Sequence, residues 1–338
     1  MGKEYVVAVV GAMGAVGTEM INTLERRNFP AKELVPLDIA SQVGKEVEFK
    51  GKKWSVKEAK KGAFVGVDIA IFSAGGAASA ALAPIAAEEG AIVVDNSSQW
   101  RMDPNTPLVV PEVNPQDLDW HKGIIANPNC STTQMLVPLK PIHDAATIKR
   151  IVVSTYQAVS GGGKGALAGL KEEADEYAEK GEVLTPRVYP KQIMFNLVPH
   201  IDVFEEGGYT KEEYKMINET HKMLSKDIAV TATCVRVPVV YGHSESINIE
   251  TEKKLTADEV RELLSKAPGI KVMDDPANVL YPTPIESNDE DAVMIGRIRE
   301  DFSVENGINL WCVANNIKKG AALNAVQIAE TLIKRNLV

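Results

Sequence analysis

The chain has 338 residues, is 45% apolar and 25% charged, and carries a formal net charge of -9. Its length predicts two domains rather than one core, and its acidic balance excludes a general nucleic-acid binder, which needs a basic face. Three cysteines, Cys130, Cys234 and Cys312, are too few and too scattered for a disulfide framework or a zinc site, so no metal is expected. No run approaches the roughly 20 apolar residues of a membrane span, and a cytoplasmic protein in a reducing compartment is the expectation.

Tyr5–Val10 is a continuous valine-rich run, the pattern of a strand buried on both faces of a parallel sheet. It delivers into Gly11-Ala12-Met13-Gly14-Ala15-Val16-Gly17, after which Thr18–Arg26 reads as an amphipathic helix. Strand, glycine turn and helix in that order suit a dinucleotide, because the backbone must approach a pyrophosphate and the helix N-terminus then faces the anion. The spacing is G-x-x-G-x-x-G, which a tight ligand-free turn also satisfies. A second strand, Glu33–Leu37, ends in Asp38, where an acid holds a ribose 2′-hydroxyl or simply forms a turn. Val67–Ser73 and Ala91–Asp95 are further buried strands around an alanine-rich crossover helix, Ala77–Glu89. Alternation of this kind predicts a doubly wound parallel sheet. Arg101 follows a strand end, and its planar fork suits a carboxylate or phosphate as well as solvent.

Gly123–Ala126 reads as a strand, and the residues after Gln134 have helical spacing. Cys130 is thus placed on a strand-to-helix turn, with Ser131, Thr132 and Thr133 as capping residues. Backbone N–H groups and the helix dipole there favour a thiolate, although a buried structural thiol fits the same stretch. Ile151–Gln157 is a strand, 160–165 a glycine-rich loop without nucleotide-triphosphate spacing, and 166–181 a charged helix. Val230–Val240 and Ser246–Thr251 are expected as neighbouring strands joined by Tyr241–Glu245. The last helix, Ala321–Arg335, is amphipathic. The expected architecture is α/β. A Rossmann-like domain over 1–129, with 320–338 packing back on it, precedes an α+β catalytic and dimerisation domain over 130–319.

Gly14-Ala15-Val16-Gly17, Pro128-Asn129-Cys130-Ser131-Thr132, Gln157-Ala158-Val159-Ser160-Gly161, Arg236-Val237-Pro238 and His243-Ser244-Glu245-Ser246 occur in this order. Together they resemble the bacterial branch of the aspartate-β-semialdehyde dehydrogenase family, with a likeness running from about residue 5 to the C-terminus. The resemblance implies reversible, NADPH-dependent reductive dephosphorylation of β-aspartyl phosphate to the semialdehyde, in the biosynthesis of lysine, threonine, methionine and isoleucine, by a homodimer. It makes Cys130 the nucleophile and His243 the acid/base. Gln157, Arg236 and Glu212 would contact substrate, with Arg236 on the α-carboxylate. Arg101, Lys215 and Asn129 would hold phosphate. Gly11, Met13, Gly14, Ala15, Val16, Ser160, Gly161 and Asn316 would contact the cofactor.

Chemistry supports those roles: an acyl phosphate is attacked at carbon, phosphate leaves when cations balance its charge, and the resulting thioester accepts hydride. A histidine of near-neutral pKa is expected to take the thiol proton, and His243 suits this better than His121 or His221, which lie in charged, exposed-looking segments. The loop Asp38-Ile39-Ala40-Ser41-Gln42 departs from the NADP-using pattern. It carries no Arg for a 2′-phosphate, and Asp38 would repel one, so NAD is expected to be used well, or in preference to NADP, with Asp38, Ser41 and Gln42 near the ribose. N-acetyl-glutamyl-phosphate reductase, glyceraldehyde-phosphate dehydrogenase and a non-catalytic nucleotide-binding relative are the rival readings.

Overall fold

The structure is a computed structural model in which residues 3–183 and 185–338 are described. The valine run becomes β1 (Tyr5–Val10), and the glycine turn leads into α1 (Ala15–Arg26), which begins earlier than the Thr18 start read from the sequence. There follow β2 (Ala31–Asp38), a hairpin of β3 (Glu46–Phe49) and β4 (Lys52–Ser55), and the short β5 (Lys57–Glu58). β6 (Ile69–Phe72), α2 (Gly76–Glu88), β7 (Ile92–Asp95) and β8 (Ile124–Ala126) complete this part. Six strands pair in parallel in the order β5-β2-β1-β6-β7-β8. Residues of β1 and β6 alternate between two cores: Val7, Val9, Ile69 and Ile71 face one, Ala8, Val10, Ala70 and Phe72 the other. Each fully buried Val or Ile there contributes about 1.5–3 kcal/mol relative to exposure, which explains why these strands are apolar on consecutive positions.

The chain divides into two compact units, Met1–Asn129 with Ala321–Val338, and Cys130–Gly320. The second unit starts with α3 (Cys130–Ala146) and β9 (Ile148–Gln157). A short 3-10 turn, Val159–Gly162, then runs directly into α4 (Gly163–Lys180), so the expected loop over 160–165 ends in a helix start. α5 (Lys211–Met223) opens with a Thr210/Glu213 capping box and leads to β10 (Ala229–Arg236) and β11 (His243–Thr251). α6 (Ala257–Ser265), β12 (Ile270–Val272), β13 (Val293–Asp301) and β14 (Gly307–Ala314) finish it. The sheet is mixed, in the order β10-β9-β11-β14-β13-β12. β10 and β11 are therefore not neighbours, as expected from the sequence; β9 lies between them, parallel to β10 and antiparallel to β11. Alternating hydrophobicity fixes which face a strand buries but not which strand it pairs with.

Along β9, Ile151, Val153, Thr155 and Gln157 are buried while Val152, Ser154 and Tyr156 are half-exposed, and β11 and β14 repeat the alternation. α3, α5 and α6 cluster on the buried face. The last helix, α7 (Leu323–Lys334), follows a π-helical turn at Lys318–Ala322 and belongs to the first unit, where it packs beside α1 and ties down through Arg27–Glu330.

Candidate functional site

In the first unit, Gly11 sits at φ 81° and closes the turn after β1; a Cβ there would meet Ser73 O at 2.5 Å, so the turn and the end of β6 touch backbone to backbone. This is the point where the strand order reverses, with β2 on one side of β1 and β6 on the other. Gly14 precedes α1 without any side-chain cap, which leaves the first N–H groups of the helix, from Ala15 and Val16 onward, to face an anion. Asp38 accepts the Met13 N–H at 2.8 Å through Oδ2 and the Ile39 N–H at 2.8 Å through Oδ1. It thereby holds the glycine turn and keeps lone pairs for a hydroxyl. A cleft of about 250 Å³ lies over Gly11, Gly14 and Asp38, with Ile39, Ala78 and Leu82 as apolar wall. Uncapped helix, acid and apolar slot fit a dinucleotide. Ser41 and Gln42 lie on a short 3-10 turn, Ala40–Gln42, Ser41 exposed and Gln42 half-buried.

Arg101 is 8% exposed, and its guanidinium donates to Asn127 O and Asn96 O, each at 3.0 Å. Two carbonyls thus aim it before any anion arrives. Asn129 is buried in the same unit. Nearby, burial raises the Asp95 carboxyl above the usual range, while a hydrogen bond from Ser97 opposes it.

In the second unit, Cys130 is the first residue of α3, and Ser131, Thr132 and Thr133 lie inside the helix rather than at its cap. Cys130 Sγ is 3.3 Å from Nε2 of His243, which begins β11. Cys234 and Cys312 are fully buried, and burial pushes both thiols up, away from the reactive thiolate form. Cys130 alone of the three is partly exposed.

His243 departs from the near-neutral pKa expected of it: burial first, then the Arg236 charge, push it down to about 3, with Glu212 pulling the other way. Its Nδ1 accepts the Ala158 N–H at 2.9 Å. A backbone N–H can only donate, so Nδ1 carries no proton and the neutral ring holds its proton on Nε2, pointing at the sulfur. Proton transfer from the thiol to Nε2 would first require a proton on Nδ1, facing that N–H. His121 and His221 are half-buried, not exposed; His121 Nδ1 accepts the Gly123 N–H, and His221 Nε2 lies 2.8 Å from Ile228 O.

Arg236, at the end of β10, is 6% exposed; one Nη donates to Ala158 O at 2.7 Å and the guanidinium lies over the Tyr189 ring. Its buried Nε has no hydrogen-bond partner among the described residues, an unmet donor that a carboxylate would satisfy. Gln157 lies beside Arg236 across the β9–β10 register and donates to Glu212 Oε1 at 3.1 Å. Glu212 Oε2 in turn pairs with Lys215 at 2.9 Å, and Lys215 also pairs with Asp202 at 2.9 Å. Burial draws the Lys215 pKa down, but the two carboxylates outweigh it and the net shift is upward. Lys215, expected at a phosphate, is thus already held by two acids. Ser160 and Asn316 hydrogen-bond each other, Asn316 Oδ1 accepts the Gly242 N–H at 3.0 Å, and Gly161 backs onto Arg236 and His243. Gly320 approaches the nucleophile so closely that a Cβ there would lie 2.7 Å from Cys130 Cβ.

Sequence reasoning passed over Tyr189, Asp202, Gln134 and Glu245. The last two carried a signal: Gln134 is one helical turn after Cys130, and Glu245 lies on the same strand face as His243.

A family model described as "Semialdehyde dehydrogenase, NAD binding domain" matches residues 6–121, and another, "Semialdehyde dehydrogenase, dimerisation domain", matches residues 139–319. Sheet, glycine turn and thiol–imidazole pair thus belong to an NAD(P)-dependent oxidoreductase of the semialdehyde dehydrogenase class. Among curated proteins, aspartate-semialdehyde dehydrogenase of Aquifex aeolicus (strain VF5) is 56% identical over 338 residues, 99% of each chain. That of Bacillus subtilis (strain 168) is 50% identical, with both chains fully covered. A crystal structure of aspartate semialdehyde dehydrogenase II complexed with ASA, from Vibrio cholerae, matches with a TM-score of 0.95 at 46% identity, covering 98% of this chain and 99% of that one. The chain belongs to the aspartate-semialdehyde dehydrogenase family. Among the described residues, no helix is long and apolar enough to cross a membrane.

Proposed function

We propose that the chain interconverts β-aspartyl phosphate and aspartate β-semialdehyde plus phosphate, through a thioester on Cys130, as a cytoplasmic homodimer. The observation that carries this is the 3.3 Å approach of Cys130 Sγ to His243 Nε2 at the start of a 17-residue helix. The sulfur attacks the acyl carbon as a thiolate; the C–S bond forms, the C–O bond to phosphate breaks, and phosphate leaves. The bound dinucleotide supplies the hydride that reduces the thioester, and in the reverse direction takes it back. Collapse of the resulting hemithioacetal returns a thiolate, which the Nε2–H of His243 stabilises as a hydrogen-bond donor. The proton that Cys130 loses before attack goes to water, since Nδ1 is committed to the Ala158 N–H.

Arg236 holds the α-carboxylate through its unmet Nε edge, while Glu212, steadied by Gln157 and Lys215, faces the amino group. Arg101 and Asn129 receive phosphate, and Lys215 joins by exchanging one of its carboxylates. Gly11, Met13, Gly14, Ala15, Val16, Ser160, Gly161 and Asn316 serve the cofactor. Because Asp38 faces the ribose end of the cleft and the loop to Gln42 carries no cation, NAD is used in preference to NADP.

Phosphate-dependent reduction of NAD and NADP by aspartate semialdehyde, run in parallel, tests substrate, reaction and cofactor together. Mass spectrometry after mixing with acyl donor in the absence of reduced nucleotide should place the acyl adduct on Cys130. Cys130→Ala should lower turnover at least about 10³-fold with cofactor binding intact. An adduct on Cys234 or Cys312, or none, overturns the reading.

A further inference from the structure

Behind the pair lies a buried carboxyl group that the chemistry above does not use. Glu245 is 0% exposed on β11, on the same strand face as His243. Across the sheet it stands in register with Thr155 of β9 and Cys312 of β14, so these neighbours bring no positive charge to it. From α3, Gln134 comes close enough to act on the carboxyl. Even so, neither Glu245 oxygen meets a donor at hydrogen-bond distance among the described residues, and the same holds for the Oε1 of Gln134, which is also fully buried. Two unmet acceptors side by side are costly, on the order of 1–3 kcal/mol for each group, and more for an ion.

Turning the Gln134 amide over does not relieve this. Its Nε2 donates to the His243 carbonyl at 3.3 Å, and a flip would set Oε1 against that carbonyl instead. One proton on Glu245 satisfies both groups at once. We propose that Glu245 is a neutral carboxylic acid that donates its proton to Oε1 of Gln134, and that this buried pair ties the helix carrying Cys130 to the strand carrying His243. Gln134 is one turn below Cys130, and its main-chain carbonyl also receives Cys312 Sγ at 3.6 Å. The link therefore runs from β11 and β14 into α3, directly beneath the thiol–imidazole approach. Glu245 is a positioning residue, and this role rests on the Cys130–His243 reading. Burial, which raises the Glu245 carboxyl well above its usual range, acts in the same direction.

Glu245→Gln preserves shape and a donor, whereas Glu245→Ala removes the link. An infrared difference spectrum between wild type and Glu245→Gln at neutral pH should contain the carbonyl stretch of a protonated carboxyl; a carboxylate band in its place overturns the proposal. Glu245→Gln should keep kcat within about threefold, while Glu245→Ala should lower kcat about tenfold or more with KM within about twofold. A folded Glu245→Gln as impaired as Glu245→Ala overturns the positioning role. Because the native protein keeps this proton above pH 4.5, the ordinary value of the group, while the unfolded chain releases it, stability is full below that pH and declines as pH rises. The Tm advantage of Glu245→Gln should accordingly grow from pH 4.5 upward, and a constant gap counts against the proposal. The infrared and thermal measurements need no turnover, so they read Glu245 separately, while the acyl adduct on Cys130 reads the nucleophile.

Discussion

The Cys130–His243 approach is set by one backbone atom, the Ala158 nitrogen. Because its N–H donates to Nδ1, the imidazole is fixed as a donor toward sulfur, and an imidazolium would set an Nδ1 proton against that N–H. Ala158 has φ -62°, which proline matches, and it follows a strand residue, as proline also requires. Ala158→Pro therefore deletes this N–H with little backbone strain. The His243 pKa should rise from about 3 toward its ordinary 6.5, read by NMR titration of the ring nitrogens, and Cys130 alkylation should change its pH profile in the same range. An unchanged titration would show that the N–H does not control the ring. Arg236→Lys makes a different point: a point charge cannot fork onto a carboxylate, so KM for the semialdehyde should rise about tenfold or more in steady-state kinetics. The candidate residues were legible because their types announce their chemistry. Protonation states were not, because they depend on burial and on backbone donors that no residue name records.

At the scale of elements, the site is made by two transverse rows on the buried face of one sheet. The outer row places Arg236 beside Gln157, with His243 opening the next strand; the inner row runs Cys234, Thr155, Glu245, Cys312. Residues far apart in sequence meet because β9 joins β10 and β11. That adjacency was the part misread, since the pairing of β10 and β11 through β9 depends on long crossovers and not on local pattern. The parallel sheet of the first unit was legible, because its strands are continuous apolar runs separated by turn and helix signals; the β3–β4 hairpin and α5 lack so simple a pattern. α3 meets this sheet with Cys130 at its first turn, where Gly320 leaves no room for a side chain. Gly320→Ala must displace the start of α3 by a few tenths of an ångström or more. kcat should fall roughly 10- to 100-fold, with nucleotide affinity retained by fluorescence titration. Unchanged kcat would mean that the helix start tolerates movement.

At the scale of the whole molecule, each unit carries a separate choice. The first chooses the cofactor: with Asp38→Ser and Ser41→Arg together, the kcat/KM ratio of NADP to NAD should rise at least about tenfold, about 1.4 kcal/mol, while a wild type that already prefers NADP by that factor defeats the proposed preference. The second unit bears on association. Its sheet is covered by helices on one face only; the other presents Val152, Ser154 and Tyr156 of β9, Ser246 and Asn248 of β11, and Asn309 and Trp311 of β14. Tyr156 and Trp311 lie with ring centroids 5.6 Å apart on this face. A half-exposed aromatic face on a mixed sheet suits an isologous contact, in which the same patch serves both copies. Ser246 is exposed and stands in register with Ser154 and Trp311, and its side chain makes no packing contact in the buried core. Ser246→Arg would set two like charges against each other across a two-fold axis without touching that core. Size-exclusion chromatography with light scattering should then show a monomer, or a dimer weakened by about tenfold or more, while circular dichroism keeps the native signature. A dimer of undiminished affinity would move the proposed interface off this face and onto another surface of the second unit.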